Sequence, residues 1–254
     1  MRLLALADLQ ERFEHLDRIG EVVENAHCDG ILFAGNILAA EARIKEWQQA
    51  AAEHRRPSLE KAEVAAERSN DAESLARFFG VLHRLGVPVY VVPGKHDAPE
   101  RFYLQALAAL ETVDPRVHQV HRSFAPLHSN YYVIGFGGAV TDNHRDNEYF
   151  LEYPAWEAEF GLDFVRHLDG DRILVFHTPP FGRIEDESQD YGHHVIETLI
   201  KSFDPRIAVC SRPSGRRGKQ LIADTLVVYP GRLAEGEYAV IDTKSRTVEF
   251  GNLR

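Results

Sequence analysis

Cysteine is scarce in this chain: Cys28 and Cys210 are the only two among 254 residues. Both sit in apolar surroundings, so the expectation is buried free thiols in a reducing cytosol, hence a cytoplasmic protein, with no disulfide framework. Long apolar runs are missing too. Nothing approaches the roughly 20 residues needed to cross a bilayer. The opening "MRLLALADLQ" is too short in apolar content for a secretory leader and reads as a first strand. Positive charge is in deficit, with 29 Lys and Arg against 39 Asp and Glu and a net charge of −10. That balance disfavours nucleic acid and anionic membrane as partners, so any anion site must be local. Internal repeats, Pro/Gly/Ser linkers and low-complexity tracts are absent, and a single domain over 1–254 is expected.

What is present is an alternation of buried strands and amphipathic helices. "LLALA" (3–7), "GILFAG" (30–35) and "VPVYVVPG" (87–94) are continuous apolar runs, as in strands covered on both faces. Between the first two, Phe13, Leu16, Ile19, Val22 and Val23 recur at helical spacing. The stretch from about 39 to 85 is rich in Ala, Glu, Arg and Gln and predicts two or three helices interrupted near Pro57-Ser58, the middle projecting from the domain. After a helix at "PERFYLQALAALE", the runs "YYVIGFGG", "RILVFHTPP", "RIAVCS", "TLVVYPG" and "EYAVIDTKSRTVEF" supply five or six more strands, the last two as a hairpin turning near "TKSR". Two helices are expected around 156–168 and 194–203, with Tyr153 and Trp156 packing where the first begins. The sum is an α/β fold of two packed sheets with helices outside.

Ligands in such folds gather at the carboxyl ends of strands. Those ends carry Asp8 and Gln10, then Gly35-Asn36, then Gly94-Lys95-His96-Asp97, then His177, then Ser211-Arg212-Pro213-Ser214. In that order they resemble the motifs of the calcineurin-like metallophosphoesterase superfamily: D-x-H, G-D, G-N-H-[DE], a lone His, and G-H-x-H. "VVPGKHDAP", "EYPAW" and "YPGRLAEGEY" further resemble a bacterial subgroup whose metal site is thinned. The resemblance spans nearly the whole chain. It implies a four-layer sandwich of two mixed β-sheets flanked by helices, with a helical insertion after the second strand, and phosphoric ester hydrolysis as the family activity.

Carried over position by position, the resemblance makes Asp8 the first metal ligand and His177 a second-metal ligand. His96 becomes the catalytic acid, with Asp97 as the acidic residue beside it. Elsewhere the pattern departs. Gln10 stands for a ligating His, Asn36 for the bridging Asp and Lys95 for the second metal's Asn. Ser211-Arg212-Pro213-Ser214 occupies the place of Gly-His-x-His, so Arg212 and Ser214 stand where that motif has its two ligating histidines. Two-metal hydrolysis needs ions about 3.5–4 Å apart held by carboxylates and imidazoles. Here Lys95 and Arg212 bring fixed cations, each repelling a unit charge at ~4 Å by about 4 kcal/mol at an effective dielectric near 20.

No stable dinuclear centre is therefore expected. The cofactor expectation is at most one weakly held divalent cation (Mn, Mg or Fe) on Asp8, Asn36 and His177. The favoured reading is a pocket that binds a phosphate-containing small molecule through Lys95, Arg212 and Asn36, with weak or lost hydrolysis. The run "RPSGRRGK" (212–219) adds cations and glycines beside it. The alternatives are an active mononuclear phosphoesterase and an interaction module acting through the helical insertion, for instance as a homo-oligomer contact.

Overall fold

The computed structural model describes residues 1–111, 115–128, 130–182 and 191–254. In chain order the strands and helices are β1 (Arg2–Leu6), α1 (Phe13–Leu16), α2 (Ile19–Asn25), β2 (Gly30–Phe33), α3 (Glu41–Ala52), α4 (Ala62–Leu82), β3 (Val89–Val91), α5 (Glu100–Glu111), β4 (Val117–Gln119), β5 (Ser123–Pro126), β6 (Tyr131–Phe136), β7 (Ala139–Thr141), β8 (Glu152–Pro154), α6 (Ala155–Gly161), β9 (Asp171–Phe176), α7 (His194–Phe203), β10 (Ile207–Cys210), β11 (Gly218–Ile222), β12 (Thr225–Tyr229), β13 (Glu237–Asp242) and β14 (Thr247–Asn252).

They form two six-stranded sheets, ordered β14-β13-β1-β2-β3-β4 and β11-β12-β10-β9-β6-β5, plus the small pair β7-β8. Within the first sheet β1 to β4 run parallel, and within the second so do β6, β9, β10 and β12. The edges β13-β14, β11 and β5 are antiparallel. Strand alternation divides the core. Leu3, Ala5, Leu32, Tyr90 and Val92 of one sheet meet Val133, Ile173, Val175, Val209 and Val228 of the other. Leu4, Leu6, Ile31, Phe33 and Val91 face α1, α2, α4 and α5 on the outside, while Ile134, Phe136, Leu174, Phe176 and Tyr229 face α6 and α7. The result is the expected mixed α/β architecture of two large sheets flanked by helices.

Differences are local. The helical stretch after β1 is split into α1 and α2 around Asp17-Arg18. The long segment before β3 forms two helices. Its inner face is packed, because α4 buries Leu75, Phe78 and Phe79 and α3 buries Arg43, while the stretch 51–54 is exposed. Arg43 is fully enclosed. It pairs with Glu67 at 2.9 Å and Asp71 at 3.1 Å, and donates to the Ala98 carbonyl at 2.7 Å. The hairpin at 243–246 is as expected, its turn closed on the Asp242 carboxylate by the N–H groups of Lys244 and Ser245. Tyr153 packs internally, but Trp156 is 59% exposed. Among the described residues no helix is long and apolar enough to cross a membrane.

Candidate functional site

The parallel strands of both sheets end at one side of the molecule. Their terminal loops surround a cavity of about 450 Å³ lined by Asp8, Asn36, Lys95, His96, His177 and Arg212, among others. These expected residues arise from separated stretches of sequence, and the fold brings them together. Asp97 is not among the lining residues.

Two glycines let the loops meet. A Cβ on Gly35, whose φ is +73°, would lie 2.3 Å from the Gly94 nitrogen, and one on Gly94 would lie 2.2 Å from Asn36 Oδ1. Only hydrogen fits at either place. Asp97 sits beneath this contact, fully buried. Its Oδ1 accepts from the N–H groups of Ile37 (2.8 Å) and Leu38 (2.9 Å), and its Oδ2 from Gly94 N–H (2.6 Å). Burial pushes its carboxyl up to about 7 against those three bonds and the nearby Arg43. In chemical terms Asp97 ties the β2 loop to the β3 loop.

Asp8 adopts a left-handed backbone, φ +54°, after β1. Strain of this kind costs on the order of 1–3 kcal/mol and persists where surroundings over-determine it. Its main-chain N–H donates to the Gly35 carbonyl. Its Oδ1 accepts from Asn36 Nδ2 (2.9 Å) and its Oδ2 from Ser211 Oγ (2.6 Å). Burial raises its pKa, opposed first by the charge of His177. The Asn36 Oδ1 accepts in turn from His96 N–H at 2.9 Å, so both ends of this amide are engaged.

His177 is turned by a contact of Nδ1 with the Ala34 carbonyl at 2.8 Å, which makes Nδ1 the protonated nitrogen and leaves Nε2 as the acceptor. Burial lowers its pKa. His96 is pushed down to about 3, by burial first and then by His177, Lys95 and Arg43. It is therefore a neutral ring at pH 7, able to orient an oxygen but not to supply an imidazolium proton.

The cations differ from one another. Lys95 lines the cavity, yet its Nζ lies 2.7 Å from Glu152 Oε1 and 5.0 Å from the centre of the Phe150 ring. Arg212 is 3% exposed, with its guanidinium over the rings of Tyr229 (4.9 Å) and Tyr191 (5.6 Å) and a long contact from Nη2 to the Gly182 carbonyl (3.4 Å).

This donor set suits a metal poorly. Each Asp8 oxygen already accepts a hydrogen bond and the Asn36 amide is used at both ends. The donors that remain are the second lone pairs of the one carboxylate, Asp8, and the imidazoles of His177 and His96, fewer than two ions need. Among the described residues no three His, Cys, Asp or Glu side chains converge as ligands. A buried guanidinium on the same wall repels a cation further. The residues present do not fit a dinuclear centre.

Strand-end reasoning missed two contributors. Arg232 lies beyond β12 and lines the cavity, and its position after a strand end was the available signal. Glu152, on β8, neutralises Lys95 and is bridged on its other oxygen by His144 at 2.6 Å. It begins the "EYPAW" stretch, but nothing local in sequence marks it as the partner of Lys95; Leu151 N–H donates to the Lys95 carbonyl and sets β8 beside that loop.

Comparison with known proteins agrees with this architecture. The family model for metallophosphoesterases of the calcineurin superfamily matches residues 1–253. One crystal structure is 33% identical over 100% of this chain and 99% of its own, with a TM-score of 0.89. The crystal structure of TT1561 of Thermus thermophilus is 28% identical over 100% and 99%, with a TM-score of 0.82. A dimetal phosphatase from Danio rerio shares the fold at 8% identity and TM-score 0.56, over 94% of this chain and 91% of its own. No curated protein matches. With a matching model along essentially its whole length, and two sheets whose strand-end loops converge on one cavity, the chain belongs to the calcineurin superfamily of metallophosphoesterases.

Proposed function

We propose that this protein uses its strand-end cavity to bind a phosphate-bearing small molecule without a dinuclear metal centre, and that phosphoester hydrolysis is weak or lost. The observation that carries the reading is the buried Arg212 guanidinium on the cavity wall, where the resemblance puts the last metal-binding motif. A guanidinium held over two aromatic rings is a fixed cation with forked donors suited to phosphate oxygens. It needs no metal to neutralise the ligand, and it supplies no hydroxide. Without a metal-lowered water pKa the cavity lacks the nucleophile that two-metal hydrolysis makes. Neutral His96 and the Ser211–Asp8–Asn36 chain then serve as walls of hydrogen-bonding groups around the anion.

The test has two parts. Elemental analysis of protein purified with added Mn should find well under one ion per chain, and p-nitrophenyl phosphate turnover should stay near the blank. Calorimetry should show inorganic phosphate binding that Arg212→Gln removes. About two ions per chain, or Mn-dependent turnover that His177→Ala abolishes, would overturn the proposal in favour of a working metalloenzyme.

A further inference from the structure

The cavity is lined by a second arginine, Arg232, whose side chain is 34% exposed where Arg212 is buried, and which is held from several sides. Arg232 follows β12, and its Nη2 donates to the Pro213 carbonyl at 3.1 Å. Its Nη1 makes only a long contact, 3.4 Å, with the exposed Glu235. The main-chain N–H of Arg232 donates to the Glu237 carboxylate at 3.2 Å, which fixes the start of the side chain. The loop after Arg212 is laid directly across this side chain. A Cβ on Gly215 would lie 2.2 Å from Arg232 Nε and 2.5 Å from its Cζ, and Gly215 has φ +70°. Gly215 N–H donates to the Arg212 carbonyl at 2.8 Å and closes the turn. One short loop thus carries Arg212 at its start and seats Arg232 underneath.

Lys95 contrasts with both. Its ammonium is matched by the largely buried Glu152 at 2.7 Å and lies near the Phe150 ring. Among the described lining residues Asp8 is the carboxylate, while Lys95, Arg212 and Arg232 are the cations. Once Lys95 is set against Glu152, two guanidiniums stand around one buried carboxylate, and an anion completes the balance.

We infer that Arg212 and Arg232 form a two-arginine clamp for the phosphate group of the ligand, with Lys95 acting as a structural ion pair that holds the β3 loop to Glu152. This inference rests on the cavity being a phosphate site, as proposed above, and adds which side chains grip the anion. The loop from 212 to 215 is the clamp's frame: Gly215 makes room for one arginine while its backbone anchors the other. A phosphate presents enough oxygens to take a fork from each side.

Calorimetric titration with inorganic phosphate, at constant ionic strength maintained with chloride, tests it. Wild-type protein binds. Arg232→Gln weakens binding about ten- to hundredfold, the loss of one charged hydrogen-bonding partner. Arg232→Lys, which keeps charge but not the fork, falls between. Gly215→Ala, which must displace the Arg232 side chain, weakens binding in the same direction. Lys95→Gln, which leaves the buried Glu152 without its cation, weakens binding less than Arg232→Gln does. Circular dichroism and melting curves establish that each variant is folded. If Arg232→Gln does not fold, Arg232→Lys and Gly215→Ala carry the comparison. Wild-type-like affinity in the folded Arg232 and Gly215 variants, with Arg212→Gln still defective, overturns the clamp and leaves the cavity a phosphate site. A loss in Lys95→Gln equal to that in Arg232→Gln also overturns it. Absence of phosphate binding by folded wild-type protein overturns the cavity reading itself.

Discussion

Asp97 offers the sharpest quantitative test, because it joins the two loops that build the cavity and its titration has a definite sign. Three main-chain N–H groups converge on its carboxylate from Ile37, Leu38 and Gly94. Asp97→Ala orphans all three; at about 1 kcal/mol net per bond plus the cost of unsatisfied buried donors, we expect a loss of about 3–5 kcal/mol. Asp97→Asn keeps one acceptor oxygen for Ile37 and Leu38 but turns an NH2 toward Gly94 N–H, and should cost less, about 1–3 kcal/mol, near pH 5. The two substitutions also differ from wild type in pH dependence. The folded carboxyl is raised to about 7 by burial. An unfolded Asp titrates near 3.9, so the folded state retains a proton that the unfolded state has released. Wild-type stability contributed by this group is therefore present at low pH and is lost as pH rises through that window. From pH 5 to pH 8 the loss is on the order of 2–3 kcal/mol, and Asn, which does not titrate, lacks it. The gap between wild type and Asp97→Asn should narrow by about that amount between those pH values, read as urea midpoints by circular dichroism. A gap that stays flat from pH 5 to pH 8 would refute the reasoning, because it would mean that the three N–H bonds and Arg43 outweigh burial and keep the group ionised throughout that range.

The packed loops and the buried ion network give further expectations. Gly94→Ala puts a Cβ 2.2 Å from Asn36 Oδ1 and 2.7 Å from its Cα, and should destabilise by at least about 1–3 kcal/mol in thermal melts. Gly80→Ala, on α4 with nothing within 4 Å of the added Cβ, is the control and should stabilise by about 0.5–1 kcal/mol. Arg43→Met leaves the buried Asp71 without its cation and should cost about 3–5 kcal/mol in urea unfolding, with part recovered when Asp71→Asn is added. The His96 ring, held near a pKa of about 3, should show the nitrogen chemical shifts of a neutral imidazole throughout pH 5–8 by NMR, and an imidazolium signal at pH 5 would contradict its burial.

Much of this molecule is legible in one dimension. The apolar runs that became β1, β2, β3, β6, β9, β10 and β12 are uninterrupted because their strands are covered on both faces, and the order of polar residues just beyond them indicated which side of the sheets holds the site. Asp8, Asn36, Lys95, His96, His177 and Arg212 all reach the cavity for that reason: in parallel strands, residues after the last apolar position emerge at the same edge. The short strands β4, β5, β7, β8 and β11 left no such pattern, since a run of three to five residues at an edge or rim is half polar and carries too little periodicity.

What the tertiary structure alone decided is how the polar groups at that edge are partnered. Lys95 and Arg212 look alike as charges in a string. In the fold Lys95 meets a glutamate delivered by a strand from elsewhere in the chain, and Arg212 meets two aromatic rings. Asp97 has the sequence position of a residue beside a catalytic histidine, but three main-chain donors draw it beneath the loop. Arg232 lay in the "YPGRLAEGEY" stretch with no role attached to it and gained its place because a glycine in another loop left room for it. Residue types and strand order set where the chemistry collects, since burial of apolar runs is a local property of the chain. Charge pairing and hydrogen-bond partners depend on neighbours distant in sequence, so only the folded arrangement assigns them.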